Sequence, residues 1–216
     1  MGLFSLLSEI SRQRKFDLFY EIMQPSETDK VLDVGGEVEL SSYNQRQFID
    51  NYPHKQGISV INLSTELIET ISKKYPEIDA RVGDACNLPW PDDYFDIVFS
   101  NAVIEHVGDY EKQKKMAAEI MRVGQKWFVT TPNRWYPFEF HMRLPFVTWL
   151  PGNYYLKVGR IISYNHVKKK YVSNIINTNL RLMTAKELKT CFSNSRIIRQ
   201  RVTFMAETLI AIGGNI

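Results

Sequence analysis

Four short stretches of this 216-residue chain place glycines, acids or amides directly after an apolar run: Asp33-Val34-Gly35-Gly36, Asn62-Leu63, Gly83-Asp84-Ala85 and Ser100-Asn101-Ala102. Glycine lets a backbone turn tightly and approach a ligand with no β-carbon in the way. In open α/β sheets the ligand sits outside the carboxyl ends of the strands, where their order reverses. If each stretch closes a strand, all four face one ligand. A second set could move protons: His106, Glu139 and His141. His141 follows Glu139 by two residues, so an extended backbone would project both side chains to the same side. Asn133 could bind a substrate or form a local Asx-turn.

The elements that must hold these residues follow from periodicity. Leu3 to Met23 carries apolar residues at helical spacing, with Arg12, Arg14 and Lys15 on the other face. Lys30–Val34, Ser59–Leu63, Ala80–Val82, Tyr94–Ser100 and Trp127–Thr131 read as strands. Thr65–Tyr75, Tyr110–Val123 and Thr184–Phe192 read as helices, the last with Glu187 three residues after its cap. Arg196–Val202 and Thr208–Ile212 are two further strands close enough to pair. The alternation predicts an α/β fold: a doubly wound, Rossmann-like sheet of about seven strands, mostly parallel with an antiparallel C-terminal edge strand. Between about 133 and 183 the alternation fails, and that aromatic, basic stretch is expected to be a cap inserted over the ligand edge of a single domain spanning 1–216.

Composition narrows the field. Hydrophobic residues make up 44% and charged residues 24%, which supports a folded core, and no run of eighteen apolar residues exists. Met1–Ile10 is apolar but contains Glu9, a poor signal peptide, and the two cysteines, Cys86 and Cys191, lack ligand spacing. The expectation is a reduced, cytoplasmic protein with no metal. From Phe140 to Lys186 there is no acid, while Arg143, Lys168, Lys169 and Lys170 fall there. That asymmetry favours an anionic partner.

Several of these stretches together resemble the class I S-adenosylmethionine (SAM)-dependent methyltransferases, of the small-molecule, type 11-like group. They are Val31-Leu32-Asp33-Val34-Gly35-Gly36, Gly83-Asp84-Ala85 with Leu88-Pro89, and above all Tyr94 through Val107. Thr131-Pro132-Asn133-Arg134-Trp135-Tyr136-Pro137 resembles a subgroup of that family. The resemblance implies SAM as cofactor. Gly35 and Gly36 would lie against its methionine portion, oriented by Asp33. Asn62 and the adjoining Leu63 would hold the ribose end, Asp84 and Ala85 the adenine, and Asn101 and Ala102 the methionine side, with His106 near the mouth. Asn133, Trp135, Tyr136 and Arg143 are the acceptor-binding candidates.

The chain departs from the family pattern at Glu37 and Glu39, where glycines are usual, and at Asn62, where an acid is usual. Bonds from Asn62 to a diol are neutral and about half as strong as charge-assisted ones. The same glutamates argue against a dinucleotide site, because they put negative charge where a pyrophosphate would go. Phosphorylated lipid- or glycan-linked or other small anionic acceptors are expected. Nucleic acid is disfavoured for want of a recognised RNA-binding motif. A catalytically inactive methyltransferase-like binding module is the alternative. The 3–23 helix either covers the first strand or, with its basic residues, contacts a membrane surface.

Overall fold

The computed structural model describes residues 3–38, 47–151, 154–165, 168–173 and 180–216. In chain order the elements are α1 (Leu3–Met23), β1 (Val31–Val34), α2 (Phe48–Asn51), β2 (Ile58–Asn62), α3 (Thr65–Lys74), β3 (Asp79–Val82), β4 (Phe95–Asn101), α4 (Tyr110–Val123) and β5 (Gly124–Pro132). They continue with β6 (Phe138–Glu139), β7 (Leu144–Pro145), α5 (Tyr154–Ile161), β8 (Ser163–Asn165), β9 (Lys170–Val172), α6 (Ala185–Cys191), β10 (Arg196–Arg201) and β11 (Ala206–Gly214).

One seven-stranded sheet runs in the order β10-β11-β5-β4-β1-β2-β3. Strands β3, β2, β1, β4 and β5 pair in parallel, and β11 is antiparallel to both β5 and β10. The antiparallel strand therefore lies one place inside the edge, and β10 forms the edge itself. The chain returns from β10 into β11 within four residues, and β11 pairs on its other side with β5.

Side chains alternate across the sheet with period two. Leu32, Val98, Trp127, Val129 and Leu209 meet α4 and α6 on one face, through Met116, Ile120 and Leu188. Val31, Phe99, Phe128 and Ile210 meet α1, α2 and α3 on the other. There Phe19 packs edge-on against Phe48, Phe99 and Phe128 at 5.1, 5.3 and 5.6 Å. Helix α1 thus spends its apolar stripe on the central strands β4 and β5, beyond the first strand alone. No helix among the described residues is long and apolar enough to cross a membrane.

The helix starts are those their caps dictate. Ser64 accepts from Leu67 N–H, Asp109 from Lys112 N–H, and Thr184 with Glu187 forms a capping box. The stretch over 133–183 has structure of its own: the hairpin β6–β7, helix α5, the hairpin β8–β9, and a small core of Met142, Val147, Tyr155, Leu180 and Leu182. An isolated bridge pairs Asn133 with Met183, so the two ends of the stretch leave the sheet side by side. Strands of two or three residues are too short to register as periodicity, which is why this region reads as irregular.

Candidate active site

The strand order reverses between β1 and β4, and a trough opens at their carboxyl ends. It comprises three adjoining cavities. The first, about 330 Å³, has Asn62, Leu63, Asp84, Ala85 and His106 in its walls. The second, about 590 Å³, lies between Asp33, Gly35 and Gly36 on one side and Ser8 and Arg12 of α1 on the other. The third, about 260 Å³, lies beneath the cap, with Lys15, Asn101, Tyr136, Phe140, His141 and Glu207 around it. Gly35 and Ala102 border the first two, and Asn101 and His141 the second and third.

Asp33 is 3% exposed at the end of β1. Burial lifts its carboxyl to about 8, and the charge of Glu37 adds to the effect. Gly35 has φ +77, the left-handed region, and a β-carbon there would run into Val103. At Gly36 a β-carbon would lie 2.7 Å from Asp33 Oδ2. The first glycine serves the turn, the second keeps the space over the carboxylate open. Glu37 lies in the wall of the cleft with its acidity weakened by burial and opposed by the charge of Arg12. Glu39 lies outside the described residues.

Asn62 Nδ2 donates to Gly36 O (3.1 Å), and its Oδ1 accepts from Ser64 N–H (2.9 Å). A diol would therefore meet the second N–H and the second lone pair of this amide. Asp84 Oδ1 accepts from Cys86 N–H (2.8 Å), an Asx-turn that fixes Asp84 and Ala85 at the rim. At the end of β4, Asn101 Oδ1 accepts from Lys15 Nζ (2.8 Å) and from Thr130 Oγ1 (2.8 Å). Ala102 follows with φ +58, a left-handed non-glycine residue whose strain is on the order of 1–3 kcal/mol. Its N–H donates to Thr130 O at 3.0 Å, which holds it there. Burial, with Arg12 nearby, pulls the Lys15 ammonium down to about 8 against the opposing charges of Glu105 and Glu207.

At the other end of the trough the fold gathers Glu105, His106, Glu139 and His141. Glu139 is buried and accepts from three donors: His141 N–H (3.1 Å), His141 Nδ1 (2.6 Å) and Met142 N–H (2.5 Å). It orients His141 and is no free base. With Nδ1–H bonded to a carboxylate, neutral His141 carries its lone pair on Nε2. Burial works to lower the His141 pKa, but the hydrogen bond and charge of Glu139 and the charge of Glu105 outweigh it, and the net shift is upward. His106 stands edge-on to His141 with ring centres 5.0 Å apart. Burial and the neighbouring His141 lower its pKa to about 4.

Of the four acceptor candidates, Tyr136 stands in the wall of the third cavity, its hydroxyl 2.9 Å from Thr203 Oγ1. Asn133 is used locally: Nδ2 donates to Ala206 O (2.8 Å), and Oδ1 accepts from Trp135 N–H (3.1 Å). Trp135 is half exposed, and its carbonyl accepts from Trp149 Nε1 (3.1 Å). The Arg143 guanidinium lies 4.1 Å over the Tyr164 ring. The cavity walls also include residues that the sequence pattern did not assign to the site: Ser8, Arg12, Lys15 and Glu207. Only the register of α1 across the sheet brings the first three to the cleft. Glu207 ties that helix down by accepting from Ser11 Oγ (3.2 Å).

Comparison with known proteins agrees with this geometry. Residues 33–126 match the family model of the methyltransferase domain. A Mycolicibacterium smegmatis protein described as a probable S-adenosylmethionine-dependent methyltransferase is 36% identical over 64 residues, 30% of this chain and a quarter of that protein's length. Among solved structures, a Pyrococcus horikoshii protein superposes with TM-score 0.59 at 15% identity, covering 94% of this chain and 88% of its own. The YcgJ protein of Bacillus subtilis gives 0.57 at 17% identity, covering 88% and 71%. A SAM-dependent methyltransferase of Methanosarcina mazei gives 0.52 at 15% identity, covering 87% and 92%. The sequence match runs from the end of β1 to the start of β5 and takes in every residue of the first cavity, and the likeness in fold takes in the flanking elements. Residues 33–126 therefore match a methyltransferase domain, and the fold of the whole chain is the one these solved structures share.

Proposed function

We propose that this chain transfers a methyl group from SAM to an oxygen of a small or lipid- or glycan-linked, anionic acceptor. The observation that carries the reading is the continuous trough from Asp84, past Asp33, to His141 under the cap. The residues present fit the cofactor. Asp33 is a buried carboxylate to which no described residue donates a hydrogen bond, and it faces a cleft that a β-carbon on Gly36 would close. A ligand ammonium would supply the missing donor. Asp84 and Ala85, fixed at the rim by their turn, offer an acceptor and an N–H to the adenine edge.

SAM, when bound, supplies a methyl group already activated by the sulfonium charge, so the protein has mainly to position and to exclude water. Gly35 and Gly36 admit the methionine portion, and Asn101, held by Lys15 and Thr130, lines its other side. Beyond it, His141 presents a lone pair to the acceptor end, its ring fixed by Glu139. The cap, 133–183, closes the third cavity with Tyr136, Phe140 and His141, and within one domain it forms the acceptor-selecting lid. Its acid-free sequence from Phe140 to Lys186 supports an anionic acceptor. Its exposed Phe146, Trp149 and Tyr154 beside Lys157 and Arg160 suit an acceptor presented at a lipid surface. A cytoplasmic location accords with this reading.

Calorimetry of the purified chain against SAM and S-adenosylhomocysteine, with Asp84→Ala as the comparison, tests the cofactor site. A screen of phosphorylated lipids and glycans then tests transfer. Cofactor binding without transfer to any acceptor would favour the inactive binding module. No binding of either ligand would refute the proposal.

A further inference from the structure

We infer that Glu105, His106 and His141 form a binding site for one divalent first-row transition-metal ion at the acceptor end of the trough. A ligand atom from each of the three lies within 4.8 Å of the others. Donor atoms around a common ion at about 2.1 Å stand roughly 3–3.5 Å apart, so side-chain torsions alone can close the set. Two imidazoles and one carboxylate suit zinc, iron, cobalt or manganese and disfavour magnesium, which prefers oxygen ligands. Three protein ligands also leave coordination positions open for water or substrate.

Three further observations point to an ion rather than to packing. Glu105 is fully buried, Thr131 Oγ1 donates to its Oε2 (3.0 Å), and its Oε1 has no hydrogen-bond partner. A buried carboxylate oxygen without a donor is costly unless a cation meets it. His141 gives Nδ1 to the buried carboxylate of Glu139 (2.6 Å), the carboxylate–imidazole arrangement that fixes the ring and tautomer of a ligating histidine. The turn carrying Glu105 and His106 is clamped from behind: Gln113 Nε2 donates to Ile104 O (3.0 Å), and Arg181 N–H to Glu105 O (2.7 Å). The ligands therefore sit on rigid backbone. If the methyl-transfer reading holds, the His141 lone pair is spent on the ion instead of on the acceptor's proton, and the ion would take the acceptor oxygen as a ligand and make its deprotonated form accessible near neutral pH. Binding of the ion itself does not depend on that reading.

The full chain, stripped with a chelator, is titrated with Co²⁺ and followed by visible absorption and equilibrium dialysis. The expected result is one ion per chain, displaced by Zn²⁺ and not by Mg²⁺. Glu105→Gln and His141→Gln should each weaken binding about 30-fold or more, and Glu139→Gln about 10–100-fold through His141. His54→Gln should leave it unchanged. Circular dichroism and urea midpoints report folding; if Glu105→Gln does not fold, His106→Gln and His141→Gln, which are only partly buried, carry the test. SAM affinity is measured separately on metal-free protein, so failure of the cofactor reading and failure of the metal site are told apart. Absence of saturable Co²⁺ binding, or wild-type affinity in the folded ligand variants, overturns the inference.

Discussion

Asp33 should make cofactor affinity depend steeply on pH just below neutrality. In the free protein burial holds its carboxyl at about 8, whereas a ligand ammonium in the second cavity requires the carboxylate. The apparent dissociation constant then scales as 1 + 10^(8−pH), and binding of S-adenosylhomocysteine should tighten roughly ninefold from pH 6 to pH 7, a gain of about 1.3 kcal/mol. Roughly 0.9 proton should be released on binding at pH 7. Calorimetry in two buffers of different ionisation enthalpy reads both quantities, and the thioether product avoids chemical loss of the sulfonium. Asp33→Asn removes the slope. Its deficit against wild type should grow from small at pH 6 to about tenfold or more at pH 8, as the charge-assisted bonds it lacks become available to the wild type. The same shift weakens the empty fold. The unfolded chain ionises Asp33 near 3.8 while the folded one keeps the proton to about 8, so stability falls as pH climbs across that window, and Asp33→Asn should flatten the fall. An affinity unchanged between pH 6 and 7 in the wild type would refute the placement of the cofactor's ammonium on Asp33.

Gly35→Ala forces a β-carbon into the left-handed region against Val103 and should cost about 1–3 kcal/mol in urea unfolding; a loss below about 0.5 kcal/mol would count against the strained turn. Asp84→Ala removes both the adenine acceptor and the partner of Cys86 N–H, and should weaken S-adenosylhomocysteine about tenfold, with Asp84→Asn recovering part of that. Lys15→Met deletes the donor to Asn101 Oδ1 and should weaken S-adenosylhomocysteine by about tenfold through that amide. Unchanged affinity would count against Asn101 lining the cofactor. Trp127→Phe strands Ser195 Oγ, which the indole N–H reaches at 2.7 Å, and should lower stability by about 1–3 kcal/mol without touching ligand binding.

The half of the trough proposed for the cofactor was legible in the sequence because its residues follow strands. Asp33, Asn62, Asp84 and Asn101 each sit where an apolar run of strand length stops, and a parallel sheet brings such points to one edge. The acceptor half was not legible in the same way. Lys15 comes from a helix 86 residues before its partner Asn101, and on that helix it reads as one of three solvated basic residues. It reaches the cleft because Phe16 and Phe19 dock on Phe99 and Phe128 and so set the rotation of α1. Glu139 and His141 do meet, though through the turn that follows β6, where Glu139 caps the N–H groups of His141 and Met142, and not through an extended backbone; their meeting with Glu105 and His106 required the cap to fold back over β4 and β5. The far end of the trough is thus assembled by tertiary placement, and that has a consequence for Asn133. It stands just past β5, where a strand-end polar residue is expected to face ligand, yet both ends of its amide are committed to Ala206 O and Trp135 N–H. Its work is to anchor the base of the cap beside Met183. Asn133→Ala should therefore raise the acceptor KM through a loosened cap while leaving cofactor binding intact, and Asn133→Asp, which keeps the Trp135 acceptor and loses the Ala206 donor, should fall between the two. A direct acceptor contact would instead make the aspartate, facing an anionic substrate, the worse of the pair.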